Sequence, residues 1–348
     1  MNKEKGKKLV ERVVQDVGGA FVVGLAYIGD KLRLFKALAE HGPCDSDTLA
    51  EKTALNKRYV LEWLKGMVAA EYVEYESERN LFFMSEEQRA AFAEEGSPVF
   101  AAGGFQFTIP SLLQTPEIIE SFIHGGGIHY DELSEEIATS IDRMHRPWFE
   151  YRLTTDWIPA VSGLVERLNE GISVLDVGCG LGRSSLAIAN AYPNSHVTGV
   201  DPHSPSILKA KEFAATLNNI NFKDITLEAM EANKQFDLIF IFDAIHDMQD
   251  PIGTLRTIKK YLAPEGLVFW SEPTGSHNPI ENRNPIGKMR AAISPFHCLT
   301  VSLAADGAGL GTIIGEEGVR QLAKKAGYST FEKLNISHPM QQFFGLRH

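Results

Sequence analysis

The sequence has few cysteines, no long apolar run and no surplus of positive charge. Its three cysteines, Cys44, Cys179 and Cys298, are far apart and never form a CxxC pair. This excludes a disulfide framework and offers no zinc-finger spacing, so a reducing, cytoplasmic compartment is expected. The most membrane-like stretch, residues 17–29, is too short to cross about 30 Å of hydrocarbon. We therefore expect no membrane span. A signal peptide is not expected either, because Glu11, Arg12 and Asp16 interrupt what would be its apolar region.

Acidic residues outnumber basic ones. There are 45 Asp and Glu residues against 34 Lys and Arg residues, which gives a formal net charge of -11. A negative surface repels nucleic-acid phosphate, so binding to nucleic acid through overall charge is not expected. Hydrophobic residues make up 44% and charged residues 23% of the 348 residues. These proportions are typical of a folded globular protein, and the length allows two domains.

Residues 1–93 are predicted to form a winged-helix domain. The pattern indicates helices at 31–40, 45–52 and 56–70 and a β-hairpin at 72–84, with Asp45 capping the second helix. Apolar residues at helical spacing mark the core faces of these helices. They are Leu34, Phe35, Leu38, Leu49, Val60, Leu61, Leu64 and Val68.

A winged-helix domain can read DNA or build a dimer. The third helix carries Lys57, Arg58 and Lys65 but also Glu62, and the hairpin is rich in glutamate. A wing that contacts DNA would bring these acids against phosphates, which favours the dimerisation role. The apolar helix predicted at residues 17–28 points the same way, since an exposed apolar helix usually forms an interface. We expect a homodimer formed through this domain.

The rest of the chain divides into bridging helices at 94–168, which contain a GGG run before Tyr130, and an α/β domain at 169–348. The α/β domain is predicted to be a doubly wound, Rossmann-like sheet. Its seven strands are predicted at 173–177, 197–201, 220–225, 236–242, 267–272, 330–336 and 342–346. The last two strands leave no room for a crossover helix, so they must form a hairpin with the final strand antiparallel.

The segment VLDVGCGLG places Asp176 at the end of a strand and then three glycines, Gly178, Gly180 and Gly182. The spacing is GxGxG, whereas the dinucleotide fingerprint is GxGxxG. A carboxylate here would repel a pyrophosphate but attract the sulfonium and ammonium groups of S-adenosylmethionine. Asp201 ends the next strand, where it can bind ribose hydroxyls, a feature that NAD enzymes share. The loop therefore predicts S-adenosylmethionine, and its glycine spacing argues against a dehydrogenase.

Four segments occur in the order typical of one family. DVGCGLG, VD, FDLIFIFDAIHDMQDP and LAPEGLVFWSEP resemble the motifs of class I S-adenosylmethionine-dependent methyltransferases. With the winged helix in front, the chain resembles dimeric small-molecule O-methyltransferases, nearer a bacterial and invertebrate branch. The resemblance implies a set of cofactor contacts. They are Tyr130, Asp176, Gly178, Cys179, Gly180, Gly182, Asp201, Pro202, Asp224 and Asp243.

The same resemblance implies the catalytic residues. His246 in HDMQD is similar to the histidine that deprotonates the acceptor hydroxyl, and Glu272 to the acid that orients it; a packing role for His246 stays open. Thr312 stands where the family has a second orienting acid. Residues 273–315 are predicted to form a lid. Acceptor-pocket residues are predicted at Met248, Phe296, His297 and Cys298. No spacing marks a metal-ligand set, so no metal is expected.

The sequence thus predicts methyl transfer from S-adenosylmethionine to a small organic acceptor, at oxygen or alternatively at nitrogen. A second hypothesis is a winged-helix regulator or metabolite sensor that uses a methyltransferase-like domain without turnover. Salt-sensitive DNA binding would separate the two, since a regulator should show it and a dimerisation domain should not.

Overall fold

The structure is a computed structural model that describes residues 1–231 and 234–348. The helices in chain order are α1 (Lys3–Lys31), α2 (Leu34–His41), α3 (Ser46–Thr53), α4 (Lys57–Ala69), α5 (Glu86–Phe92), α6 (Gly103–Leu113), α7 (Thr115–His124), α8 (Glu135–Trp148), α9 (Leu164–Glu170), α10 (Arg183–Ala191), α11 (Ser204–Phe213), α12 (Pro251–Tyr261), α13 (Pro285–Ile293), α14 (Cys298–Ala304) and α15 (Gly315–Ala326). The strands are β1 (Glu74–Glu76), β2 (Leu81–Phe83), β3 (Ser173–Val177), β4 (His196–Asp201), β5 (Ile220–Asp224), β6 (Phe236–Phe242), β7 (Leu262–Pro273), β8 (Thr330–Lys333) and β9 (Gln341–Arg347). Within the described ranges, no helix is both long and apolar enough to cross a membrane.

The chain forms two compact units, each described by itself. The first comprises Met1–Leu112 and Glu135–Pro147, and the second comprises Leu113–Ser134 and Trp148–His348. Residues 94–168 contribute to both units, and the domain boundaries at 93 and 168 stay predictions.

The first unit contains the predicted helices and hairpin. Asp45 caps α3, since its Oδ1 accepts a hydrogen bond from the Thr48 amide at 2.8 Å. Strands β1 and β2 pair antiparallel. Apolar side chains at the predicted spacing on α2, α3 and α4 pack into one core. Those that are fully buried are Leu34, Phe35, Leu38, Leu49, Val60 and Leu64.

Helix α1 extends the predicted apolar helix toward the amino terminus. Ala26 and Gly29, near its end, are buried in the core of the first unit. Much of its remaining length presents apolar side chains to solvent. Those that are at least half exposed are Leu9, Val10, Val13, Val14, Val17 and Phe21.

The second unit is built on a seven-stranded sheet in the order β5-β4-β3-β6-β7-β9-β8. The first five strands of that order run parallel. Strand β9 runs antiparallel to both β7 and β8, as the short final connection requires. The predicted α/β sheet is therefore confirmed.

The central strands are almost wholly apolar until their carboxyl ends. Side chains in the middle of β3, β6 and β7 are fully buried, because helices cover both faces of the sheet. Acidic residues then stand at or just after the ends of four neighbouring strands: Asp176, Asp201, Asp243 and Glu272. Ligands of open α/β sheets bind at this edge, so the fold gathers the predicted site residues there.

Candidate active site

The loop between β3 and α10 is shaped by its three glycines. Gly178, Gly180 and Gly182 have φ values of +69°, +52° and +75°, a region that side chains disfavour. A Cβ on Gly182 would also lie 2.6 Å from Cε1 of Phe222, whereas one on Gly180 would meet nothing within 4 Å. The loop thus approaches its own domain closely at Gly182 and leaves open space at Gly180.

Asp176 lies beneath this loop with only 1% of its surface exposed. Its Oδ2 accepts hydrogen bonds from the hydroxyls of Ser184 at 2.5 Å and Ser185 at 2.6 Å. Burial raises the pKa of Asp176 to about 6, while the two serine bonds act in the opposite direction. Asp176 therefore ties the first turn of α10 to the end of β3. The sequence pattern does not mark the two serines, which follow the glycine motif after Arg183.

Asp201 holds the glycine loop from the neighbouring strand. Its Oδ2 accepts the amide of Gly180 at 2.9 Å, and its Oδ1 accepts the amide of His203 at 2.8 Å. Burial raises the pKa of Asp201, and these two backbone bonds lower it. Pro202, between Asp201 and His203 in the sequence, is exposed. The carboxylate thus fixes the loop and the turn into α11 together.

Tyr130 follows the GGG run, and its ring packs against two histidines. Its ring is edge-on to His203, with centroids 5.3 Å apart, and to His297, at 6.2 Å. Burial, and then the charges of Asp201 and Asp247, raise the pKa of the Tyr130 hydroxyl, which stays protonated. Tyr130 thus sits between the turn after Asp201 and the predicted lid.

The backbone just before Tyr130 is fixed by α14. The amide of Ile128 donates to Oγ1 of Thr300 at 2.9 Å. This bond joins the GGG segment to residues 273–315, the predicted lid, which carries the short helices α13 and α14.

His246 and Glu272 form a buried pair. Nδ1 of His246 lies 2.6 Å from Oε2 of Glu272, and Oε1 of the same carboxylate accepts the indole N–H of Trp270 at 2.8 Å. His246 is 2% exposed and Glu272 is fully buried. Burial alone would lower the pKa of His246, but the charge of Glu272 and the contact with Cys298 outweigh it and raise that pKa well above its usual value.

Cys298 occupies the other side of the His246 ring. Its Sγ lies 3.2 Å from Nε2 of His246 and accepts a hydrogen bond from Oγ1 of Thr312 at 3.1 Å. Thr312, which stands where the resemblance implies a second acid, therefore reaches the histidine through a thiol. The sequence suggested Cys298 only as a pocket residue, because no spacing relates positions 246, 298 and 312.

The remaining predicted contacts are spread around the cleft. Asp243 accepts a bond from Nε2 of Gln341 at 3.1 Å, and the exposed Asp224 accepts one from Oγ of Ser204 at 2.5 Å. Cys179 packs in a small apolar cluster, where burial raises its pKa. The structure thus gathers these residues near the strand ends, and their contacts with a cofactor stay predictions.

Two overlapping sets of donor atoms are close enough to hold a metal ion. Those of His246, Asp247 and Cys298 lie within 4.8 Å of one another, as do those of Asp243, His246 and Glu272. Burial raises the pKa of Asp247 to about 7, with His246 opposing the shift and Glu272 and Asp243 adding to it. The surroundings of His246 are therefore rich in acids and suited to a cation.

The chain matches two family models. A model described as "Methyltransferase domain" matches residues 149–333, more than half of the chain. A model described as "Rv2258c-like winged HTH domain" matches residues 19–94.

Known proteins resemble this chain in sequence or in fold. A ubiquinone biosynthesis O-methyltransferase of Nitrosospira multiformis is 25% identical over 238 residues, covering 66% of this chain and 94% of the relative. A solved mitomycin 7-O-methyltransferase is 15% identical with a TM-score of 0.72, covering 99% of this chain and all of that one. Human N-acetylserotonin methyltransferase, solved in complex with SAM, is 17% identical with a TM-score of 0.72, covering 97% of each chain. The two structural likenesses show a common fold.

Proposed function

The chain belongs to the methyltransferase-domain family, and on this premise we propose that it transfers a methyl group from S-adenosylmethionine to a hydroxyl oxygen of a small organic molecule. The two family matches confirm the predicted family and the winged-helix domain. The observation that carries the proposed reaction is the buried His246–Glu272 pair. The pair lies at the carboxyl ends of β6 and β7. The glycine loop follows the carboxyl end of β3, which is the neighbour of β6 in the sheet.

The cofactor side of this edge is suited to a cationic nucleoside. Gly180 has open space above it and an amide held by Asp201, so the backbone can approach a ligand without a side chain in the way. Asp176 and Asp201 place carboxylates at the loop, which favours a sulfonium over a phosphate. S-adenosylmethionine supplies an electrophilic methyl group when bound.

On the acceptor side, His246 is the candidate proton acceptor. Because Glu272 accepts from Nδ1, that nitrogen carries the proton of the neutral ring, and in this form Nε2 takes one from the acceptor hydroxyl. A phenol and a free imidazole differ by about 3.5 pKa units, or about 5 kcal/mol. Glu272 narrows this gap by stabilising the imidazolium. The acceptor hydroxyl must replace the Cys298 thiol at Nε2.

Oxygen is favoured over nitrogen as the atom methylated. A neutral hydroxyl must lose its proton during transfer, and a buried histidine oriented by a carboxylate meets that need. The names of several relatives, including the Nitrosospira enzyme, specify O-methylation. An amine acceptor is the alternative, and comparing phenols with amines of similar shape would distinguish the two.

The winged-helix domain is proposed to form a homodimer rather than to bind DNA. The cations of α4 are already paired: Lys57 with Asp47 and Glu51, and both Arg58 and Lys65 with Glu62. Paired cations gain less from phosphate contacts. The exposed apolar side chains of α1 supply a surface that a second copy can cover.

Calorimetric titration with S-adenosylmethionine and S-adenosylhomocysteine tests the proposal. Wild-type protein should bind both, and Asp201→Ala should weaken binding by about tenfold or more, because two backbone amides lose their acceptor. Asp237→Ala is the matched control. Asp237 accepts a hydrogen bond from the amide of Ser173 at 3.0 Å, at the amino-terminal ends of β3 and β6. It should bind like wild type.

Absence of binding in folded wild-type protein would contradict the proposal. The regulator or sensor hypothesis would then lead, and a gel shift with random-sequence duplex DNA at low salt would test it. Binding followed by methylation of a phenol would instead justify a wider search for the acceptor.

A further inference from the structure

Donor atoms of three different side chains, one of them His246, lie close together. A ring nitrogen of His246, a carboxylate oxygen of Asp247 and the sulfur of Cys298 all lie within 4.8 Å of one another. His246 and Cys298 are buried and Asp247 is partly buried. We propose that His246, Asp247 and Cys298 form a binding site for Zn²⁺, in which Nε2 is the ligand atom of the histidine.

The types of donor select the metal. Imidazole nitrogen, thiolate sulfur and carboxylate oxygen are the three ligand types that zinc uses, whereas magnesium and calcium require oxygen. Three protein ligands leave a fourth position of a tetrahedral zinc ion open to water or to a ligand. The set therefore has the composition of an open zinc site.

Each of the two softer ligands is already held by a second residue. Glu272 fixes the His246 ring through Nδ1 at 2.6 Å, which directs Nε2 toward Cys298. Thr312 donates to the Cys298 sulfur at 3.1 Å, as a donor that supports a thiolate would. Carboxylate-bound histidines are the usual arrangement in zinc sites, because the carboxylate fixes the tautomer and raises the basicity of the ligand.

The second set, Asp243, His246 and Glu272, is less suited to a metal. Both oxygens of Glu272 are engaged, one by His246 and the other by the Trp270 indole. Asp243 accepts a hydrogen bond from Gln341. A metal there would have to replace these bonds, whereas the first set uses the nitrogen and sulfur that face each other.

This inference concerns the same histidine as the proposed methyl transfer. A zinc ion and a proton would compete for the lone pair on Nε2, so zinc should inhibit any reaction in which His246 accepts a proton. Metal binding can nevertheless be measured on the protein alone, without S-adenosylmethionine or turnover. The zinc site and the methyl-transfer proposal can therefore fail independently.

The test is zinc binding by the full-length protein after treatment with a chelator. Competition against a chromophoric chelator should show one Zn²⁺ per chain, and Cys298→Ser and Asp247→Asn should each weaken binding by about tenfold or more. Thr312→Val should also weaken zinc binding by about tenfold, the lower end of the effect of removing a residue that hydrogen-bonds a metal ligand. Cys44→Ser and Asp243→Asn are controls and should bind as wild type does.

Cobalt substitution identifies the ligands directly. Co²⁺ bound to wild type should give a thiolate-to-metal charge-transfer band that Cys298→Ser removes and Cys44→Ser retains. Thermal unfolding and circular dichroism would show that each variant is folded. Failure of folded wild type to bind zinc stoichiometrically would overturn the inference. Loss of binding in Asp243→Asn together with full binding in Cys298→Ser would also overturn it, in favour of the second set.

Discussion

The two sides of the candidate cleft are built in different ways. On the cofactor side, Asp201 holds the glycine loop through the backbone amide of Gly180 and the turn into α11 through that of His203. On the acceptor side, side chains from separate segments meet at His246. The cofactor side therefore depends on backbone conformation, and the acceptor side depends on the chemistry of individual side chains. Substitutions on the acceptor side should alter turnover, and those on the cofactor side should alter binding and stability.

His246→Gln is expected to give the largest difference between the effect on turnover and the effect on cofactor binding. With a chelator present to keep the site metal-free, kcat should fall by about 10²–10⁴-fold, the usual contribution of a general base. Affinity for S-adenosylmethionine should stay within a factor of two or so, measured by calorimetry. His196→Gln, an exposed histidine at the start of β4, is the control. Unchanged turnover in His246→Gln would retire its role as the base and leave it a packing residue.

Glu272→Gln should reduce kcat less than His246→Gln, by about 10²-fold. The amide removes the charge that stabilises the imidazolium and turns a donor toward Nδ1, which favours the wrong tautomer. The KM for the acceptor should change little, since Glu272 is fully buried behind the histidine. Steady-state kinetics would be compared with Glu265→Gln, the same change at an exposed position of β7. A rise in the KM for the acceptor with unchanged kcat would show that Glu272 contributes to acceptor binding instead.

On the cofactor side, Gly182→Ala should lower stability and binding together. The positive φ costs about 1–2 kcal/mol for a residue with a side chain, and the contact with Phe222 adds about 1–3 kcal/mol of overpacking. S-adenosylmethionine should bind about tenfold more weakly. Gly180→Ala isolates the first effect, because it has a positive φ but open space. Equal losses of stability in the two variants, by thermal unfolding, would show that the Phe222 contact is relieved at no cost.

The same contrast explains how far the sequence could predict the structure. The sheet, the Asp45 cap and the glycine loop follow from spacing over short stretches, so they were predictable. The ends of strands are harder to predict from the sequence: β7 begins at Leu262, whereas the sequence pattern predicts a start at residue 267. Nothing in the sequence indicates that the hydroxyls of Ser184 and Ser185 turn inward to Asp176. Nor does any local pattern indicate that Cys298 meets His246, since the fold alone brings such distant positions together.

The smallest effect tests how far the acceptor side extends. Thr312 contacts the Cys298 sulfur, which in turn contacts His246, so it acts on the histidine through one intermediate residue. Thr312→Val preserves shape but removes the hydroxyl. The free energy of unfolding should fall by about 1 kcal/mol, as for one hydrogen bond, and kcat should fall by only about two- to fivefold, less than a tenfold step of 1.36 kcal/mol.

Thr312→Ser keeps the hydroxyl and should restore the wild-type rate, measured under the same metal-free conditions. A loss of 10²-fold or more in Thr312→Val, with Thr312→Ser restoring the rate, would mean that Thr312 is as important to turnover as the missing acid would be. The thiol would then transmit the effect of that hydroxyl to His246. A small effect would instead confine the catalytic machinery to His246 and Glu272, with Cys298 and Thr312 shaping the site around them.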